Sequence, residues 1–251
     1  MVLVHGVPTS SFLWRYMIKD LSAKFRVIAL DLPGFGNSDP PANENYSIPN
    51  YASVFQSFLD SMSMKEGATL ICHDFGGPVA ITCALSCPEK FNRFVILDTF
   101  LHKDIPPLPF AMKIAKIKLL GEFFMWLGGK SIIKTGLQEG VENKTLITDE
   151  MISRYYSHRN ADKVKAAMLG ILRIDYEKDL IFIEQNIHKI SKPTIIIWAE
   201  NDVFLPYSLG ERIHREISGS KMVKIEDCGH FLQEEKPEQA VDIIRQFLNE
   251  A

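Results

Sequence analysis

The sequence is poor in the features that mark several function classes. It has four cysteines in 251 residues, Cys72, Cys83, Cys87 and Cys228, too few for a disulfide framework in a chain of this size. Cys83 and Cys87 lie four apart on a predicted helix. No second Cys or His pair follows at zinc spacing, so packing thiols are expected and no metal. Neither sign of charge dominates: 28 Lys and Arg against 31 Asp and Glu give a net charge of -3. A basic footprint for nucleic acid is therefore absent. Long apolar runs are missing too. The stretch 119–127 is interrupted by Glu122 and flanked by Lys113, Lys116, Lys118 and Lys130, which excludes a membrane span there. Met1 runs directly into Val2-Leu3-Val4-His5 with no basic segment or cleavage site, so no secretion signal is expected. The expected setting is reducing cytoplasm, without a nucleic-acid or membrane partner.

What the sequence does contain is an alternation of short β-branched runs with longer helical patterns, the signature of a parallel sheet covered by helices. Strands are predicted at 1–4, 26–30, 68–72, 94–97, 194–198 and 222–225. Their apolar character is continuous, which suits strands buried on both faces. Helices are predicted at 10–21, 48–61, 76–86, 207–217 and 237–248, with Pro237 at a first helical position. Residues 102–192 break this rhythm. They open with Pro106, Pro107 and Pro109, close at Pro193, and hold only helical segments, many more residues than two sheet strands need between them. The expected organisation is an α/β core, 1–101 and 193–251, with a helical cap insertion, 102–192. The alternative is that these helices simply cover a sheet face.

One constellation carries chemistry. Cys72-His73-Asp74-Phe75-Gly76-Gly77 follows a strand and opens a helix, in the small-x-nucleophile-x-small pattern of a nucleophile elbow with Asp as the nucleophile. Small neighbours are needed because the turn is strained and brings strand and helix backbones together. His5-Gly6-Val7-Pro8 ends the first strand, where an oxyanion-hole N–H is supplied. Trp198-Ala199-Glu200-Asn201-Asp202 puts an Asp just beyond a late strand, and Cys228-Gly229-His230-Phe231 puts a His before the final helix. Each residue alone reads as a turn or cap. Together they follow the order nucleophile, acid, histidine, each at a carboxyl strand end where such sheets place ligands.

These segments resemble the α/β-hydrolase superfamily over essentially the whole chain, and within it the aspartate-nucleophile branch of haloalkane dehalogenases and epoxide hydrolases. The run His5 to Arg15 is similar to the dehalogenase segment after the third strand. Asp31-Leu32-Pro33-Gly34-Phe35-Gly36-Asn37-Ser38-Asp39 is similar to the loop after the fourth, and His230-Phe231-Leu232-Gln233-Glu234-Glu235 to the histidine segment. The resemblance implies catalytic Asp74, His230 and Asp202, with the N–H groups of Val7 and Phe75 as oxyanion hole. Asp98, at the end of the following strand, is the alternative acid. It also implies a β-hairpin ahead of strand 1–4. None is found, so strand 26–30 is expected to be an unprotected edge.

The chemistry expected from these residue types is metal-free and cofactor-free. A carboxylate is ionised at pH 7 and needs no base to displace a leaving group from a small apolar substrate and form an ester. His230, oriented by Asp202, then activates water. Departures from the dehalogenases bear on the leaving group. Phe75 stands where the indole donor Trp is usual, and Val7 where Asn is usual, so both halide donors are absent. Pro78-Val79-Ala80 offers no Arg for a carboxylate substrate. Trp126 is the cap candidate for a replacement halide donor, and the resemblance to epoxide hydrolases implies cap tyrosines that donate to an opening ring oxygen, for which Tyr155, Tyr156 and Tyr176 are the candidates. The apolar cap residues Phe110, Leu119, Leu120, Phe123, Phe124, Met125 and Trp126 are expected to roof a pocket above Asp74. The rival from another class is a non-catalytic protein of this fold that binds a small apolar ligand.

Overall fold

The computed structural model describes residues 1–62, 64, 67–106, 110–157 and 159–250, apart from the side chains of 110–112. Pro107, Pro109 and the Phe110 side chain therefore lie outside the described residues. Six strands form one sheet: β1 (Val2–Val4), β2 (Ile28–Leu30), β3 (Ala68–Asp74), β4 (Phe91–Thr99), β5 (Thr194–Ala199) and β6 (Lys221–Ile225). The order is β2-β1-β3-β4-β5-β6 and every pairing is parallel. The central strands β1, β3 and β5 are buried almost without interruption, as their unalternating Val, Leu and Ile require. β2 is one edge and pairs only with β1, in keeping with the expected edge at 26–30.

Eleven α-helices are described: α1 (Arg15–Leu21), α2 (Ile48–Ser61), α3 (Gly76–Ser86), α4 (Phe110–Ala115), α5 (Leu120–Glu139), α6 (Asp149–Tyr155), α7 (Ala161–Leu172), α8 (Tyr176–Asn186), α9 (Tyr207–Glu216), α10 (Leu232–Glu235) and α11 (Pro237–Asn249). Their starts follow local rules. The Ser47 hydroxyl caps α2, Thr148 caps α6 and Asp175 caps α8, each accepting from an N–H three residues on. α3 is buried on nearly every side, consistent with its Val, Ala, Ile and Cys content. Residues 102–192 hold α4 to α8 and no strand among the described residues. The last of them, α8, packs on α2 and α3, and Asp179 accepts the Ile48 N–H at 2.8 Å. No helix among the described residues is long and apolar enough to cross a membrane.

The order of strands makes a switch point. The chain starts at β1, steps to one side for β2, then returns across β1 for β3, so the loops after β1 and β3 leave in opposite directions. Such a crevice is where open α/β sheets bind ligands. His5 sets the loop after β1. Its buried ring accepts the Leu32 N–H at Nε2 (2.8 Å), which puts the proton on Nδ1, and Nδ1–H donates to the Gly6 carbonyl (2.8 Å). The ring thus ties the loop after β1 to the loop after β2.

Burial lowers the His5 pKa from 6.5 to about 4, against the smaller raising effects of the Gly6 carbonyl and Asp31. The imidazole is neutral in the fold, and between those two values only the unfolded chain takes up the proton. Its stabilising contribution is therefore complete above pH 6.5 and lost as pH falls through 4. It amounts to about 3 kcal/mol. Urea midpoints measured from about pH 7 to about pH 4.5 should fall steeply for the wild type and less steeply for His5→Gln. Equal slopes would show that His5 is not the titrating group.

Candidate active site

Asp74 is the last residue of β3, and its backbone is left-handed, with φ 50°. A non-glycine residue is strained there. The pairing of β3 with β4 shifts register between His73 and Asp74, so the strand leaves the sheet sharply and α3 begins two residues later. The turn works only because its neighbours are small. A Cβ on Gly76 would run into the carbonyls of Val4 and His5, and one on Gly6 into the Asp74 carboxylate. The missing side chains let β1 and β3 bring their ends together.

The carboxylate lies in that junction. The Val7 N–H donates to Asp74 Oδ1 at 2.7 Å, and the Phe75 N–H also reaches the carboxylate. On the other side His230 Nε2 stands 3.7 Å from Oδ2. His230 Nδ1–H donates to Asp202 Oδ2 at 2.7 Å. Asp202 Oδ1 in turn accepts the N–H groups of Phe204 (2.8 Å) and Leu205 (2.9 Å). The His230 side chain is 2% exposed and that of Asp202 fully buried, whereas Asp74 keeps 16% of its side chain open. The nucleophile candidate is the member that a small molecule can reach.

Burial is the largest influence on Asp74 and raises its pKa. The His230 charge and the Phe75 and Val7 N–H groups act against it. For His230, burial alone would lower the pKa. The charge and hydrogen bond of Asp202, followed by the charge of Asp74, outweigh it and raise the pKa to about 9. At neutral pH the imidazole is a cation between two carboxyl groups.

The structure brings Asp74, His230, Asp202, Val7 and Phe75 together as the sequence pattern expected. Asp98 lies beside them but not on the histidine. Its Oδ1 accepts the Ala199 N–H at 2.8 Å, and Oδ2 is buried without an ordinary donor. Burial first, then Asp202, drives its pKa well above the carboxylate range. Asp98 thus faces Asp202, while the His230 Nδ1–H goes to Asp202.

The cap candidates separate. Tyr176 is half-buried, close enough to Asp74 and Tyr51 for their charges to act on it; its hydroxyl donates to the Ile171 carbonyl at 3.0 Å. Tyr155 is committed elsewhere, donating to Glu234 Oε1 at 3.1 Å. Tyr156 sits by Gly129 and Lys165. Trp126 is 71% exposed and stacks on Phe123. The expected apolar roof is corrected by the same observation: Leu119, Leu120, Phe123, Phe124 and Trp126 face water, and of the described roof residues only Met125 is buried. α5 turns its small and aliphatic positions Gly121, Met125, Gly129 and Ile133 inward instead. A cavity of about 680 Å³ does exist in this region, bounded by Tyr46, Met125, Leu169, Arg173, Asp175 and Asp179. Neither Asp74 nor His230 lines it, and the opening to the site is the 16% of the Asp74 side chain left exposed.

Three supporting residues were not singled out by sequence reasoning. His73 Nε2–H donates to the His230 carbonyl at 2.9 Å, its ring 4.6 Å from the His230 ring. Glu234 takes both arms of the Arg15 guanidinium, at 2.7 and 2.6 Å. Glu235 accepts the N–H groups of Gly229 (2.7 Å) and Asn143 (3.0 Å). The signal was available: all three lie within the elbow and histidine motifs, and a polar residue in a buried motif needs a partner.

Comparison with known proteins gives a consistent neighbourhood. Residues 1–237 match the family described as the alpha/beta hydrolase fold. The chain is 32% identical over 250 residues to the uncharacterised hydrolase YugF of Bacillus subtilis, covering 99% of this chain and 89% of that one. It is 26% identical to the cis-3-alkyl-4-alkyloxetan-2-one decarboxylase of Shewanella oneidensis, over 99% of this chain and 81% of that one. It is 25% identical to epoxide hydrolase 4 of Homo sapiens, over 100% and 73%. Among solved structures, the ancestral haloalkane dehalogenase AncHLD2 superposes with a TM-score of 0.84 over 99% of this chain and 90% of that one. At 20% identity that likeness concerns the fold.

The two acids near His230 can be told apart by titration. Asp202→Asn should lower the His230 pKa from about 9 by more than one unit, read by NMR of the imidazole. Asp98→Asn should lower it by less, because Asp98 acts on His230 only after Asp202 and Asp74. The reverse pattern would make Asp98 the histidine's partner.

Proposed function

We propose, from the premise that the chain belongs to the alpha/beta hydrolase fold family, that this hydrolase opens a carbon–oxygen bond of a small strained apolar substrate through an ester on Asp74. The observation that carries the proposal is the asymmetric setting of the carboxylate. Oδ1 is occupied by the Val7 N–H, while Oδ2 faces His230 without a direct hydrogen bond and is free to attack.

The steps follow from that asymmetry. Oδ2 bonds to an sp³ carbon of an epoxide or lactone, the ring C–O bond breaks, and the departing oxygen takes up a proton, balanced by the one that the His230 cation gives up as Asp74 loses its charge. Water then adds to the Asp74 carbonyl carbon while His230 Nε2 accepts its proton. The new oxyanion is Oδ1, already held by Val7 and Phe75, so the site is preorganised for the second step. Collapse expels the product alcohol and regenerates the carboxylate.

Charge orders the two steps. His230 is cationic while Asp74 is ionised, because Asp74 is one of the charges that raise it. Esterification removes that charge, lowers the His230 pKa, and releases a neutral base when a base is needed. The imidazole is kept from acting as a base early by the carboxylate whose ester it later helps water to attack.

An oxygen leaving group is favoured by what lines the site. Phe75 is buried edge-on to Tyr51, with ring centroids 5.2 Å apart, and supplies no donor for halide. Two relatives are named for an oxetan-2-one and an epoxide, both strained cyclic C–O electrophiles. Tyr176 is the donor candidate for the opening oxygen: it is the cap tyrosine on which Asp74 acts, its phenol is kept neutral by burial first and by Asp74 second, and its hydroxyl turns from the Ile171 carbonyl to donate. Tyr176→Phe should lower kcat on an alkyl epoxide by roughly 10²-fold, within the range for a single general acid, with little change in folding. An unchanged kcat would remove Tyr176 from the mechanism.

The ester itself is the direct test. His230→Ala, incubated with an alkyl epoxide or a β-lactone, should gain the substrate's mass on the peptide holding Asp74. Wild type after one turnover in heavy-oxygen water should carry label in the Asp74 carboxylate. Consumption of substrate with neither adduct nor label would sink the carboxylate mechanism. Binding without adduct, label or product would make the chain a ligand-binding protein.

A further inference from the structure

The first half of α5 and the residues before it present an apolar surface to water. Leu119 is 83% exposed, Trp126 71%, Leu127 61% and Phe123 51%, with Leu120 and Phe124 near two-fifths. Phe123 and Trp126 stack, with centroids 6.2 Å apart, and Phe124 meets Phe123 edge-on at the same distance. This is one surface. Helical spacing explains it: 120, 123, 124 and 127 fall on one face, opposite the buried Gly121, Met125 and Gly129. The group leaves on the order of 700 Å² in water, above the roughly 300–600 Å² of the largest patch on an ordinary monomer.

Its rim is basic. Lys113, Lys116 and Lys118 precede the patch, all exposed, and Lys130 follows on the same helix face one turn beyond Leu127. Among the described residues none of these four is in an ion pair. The acid within the patch, Glu122, is neutralised by Arg173 through bonds of 2.7 and 3.0 Å. A chain of net charge -3 thus gathers four lysines around six large apolar side chains. Aromatic and leucine side chains framed by lysine are the composition of a helix that lies in the headgroup layer of an anionic bilayer.

We propose that this face of α5 is a docking surface for an anionic lipid membrane, with Trp126, Phe123 and Leu127 entering the headgroup region and the lysines meeting lipid phosphate. The proposal does not depend on the reaction at Asp74. It departs from the sequence expectation of no membrane partner, which rested on the absence of a span and could not see which side of α5 is left uncovered.

The protein carries its own probe. Trp14 and Trp198 are fully buried and Trp126 is exposed, so a lipid-dependent change in tryptophan emission reports Trp126. Full-length protein should float with vesicles of phosphatidylglycerol and phosphatidylcholine in equal amounts, with a blue shift in emission. Flotation should weaken as salt rises from ~0.05 to ~0.5 M. Lys116→Gln/Lys118→Gln/Lys130→Gln should weaken it roughly 10²-fold, at about fivefold per lysine. Phe123→Ser/Leu127→Ser should abolish it while leaving the thermal unfolding midpoint and the turnover of a soluble substrate unchanged. Absence of flotation and of a shift with these vesicles overturns the proposal. So does equal flotation with pure phosphatidylcholine, which would remove the role of the lysines. A dimer by light scattering that Phe123→Ser/Leu127→Ser converts to monomer would assign the surface to a second copy of the chain instead.

Discussion

The hydrogen bond from the Val7 N–H to Asp74 Oδ1, 2.7 Å across the junction of β1 and β3, is the contact on which the rest of the site depends. It exists because the sheet reverses its building direction between those strands, which makes their carboxyl ends neighbours with diverging loops. It also requires Asp74 to leave its strand at φ 50°, a conformation that costs on the order of 1–3 kcal/mol. Buried packing around the elbow holds that strain in place: α3 has almost no exposed surface, and Phe75 is fully enclosed. The same crowding leaves no room for a side chain at Gly6 or Gly76. Strain, strand order and small residues are therefore one requirement seen three times.

The second constraint is electrostatic. Three carboxyl groups and two imidazoles share a small buried volume, and they cannot all be charged. The arrangement resolves this by division of state. His73, between His230 and the sheet, is pushed far below its usual range by burial and by the His230 charge, and it donates only to a carbonyl. Asp98 is pushed well above the usual carboxylate range by burial first and Asp202 second, while Asp202 is held by two backbone N–H groups besides the imidazole. The proposed reaction uses the loss of the Asp74 charge to switch the His230 cation.

Much of this was legible in the sequence, and the reason is physical. Strands buried on both faces must be continuously apolar, so β1, β3 and β5 stood out, and the glycines on the helix side of Asp74 marked a tight strand-to-helix turn. Asp202 is expected ahead of Asp98 from its place in the turn just beyond a late strand, but the complete burial of Asp98, which raises its pKa, could not be read from residue type. The cap failed where periodicity is ambiguous. In 119–127 nearly every position is apolar, so the pattern does not say which face is inward. The glycines decided it: Gly121 would clash with the Ala115 carbonyl and Gly129 with Tyr156 if they carried side chains, so close packing claims that face and the aromatics take the other. Tyr155, Tyr156 and Tyr176 were equivalent as sequence and diverge only through their hydroxyl partners.

Those partners also show how the helical region and the His230 loop are joined. The loop that carries His230 is gripped from the cap side at successive points. The Phe231 N–H donates to the Gly140 carbonyl at 3.1 Å, Glu235 accepts the Asn143 N–H, and Tyr155 donates to Glu234, which Arg15 holds from α1. Each of these cap contacts lies beyond the C-terminal end of α5. The exposed apolar surface lies at its other end, with the non-helical Gly128 between them (φ -137°). Twenty residues at 1.5 Å each place the two ends of α5 up to about 30 Å apart. The histidine loop is consequently anchored to the part of the cap that does not meet the surface. A membrane or any other partner at the N-terminal half of α5 can hold the protein there while the contacts that position His230 stay in place.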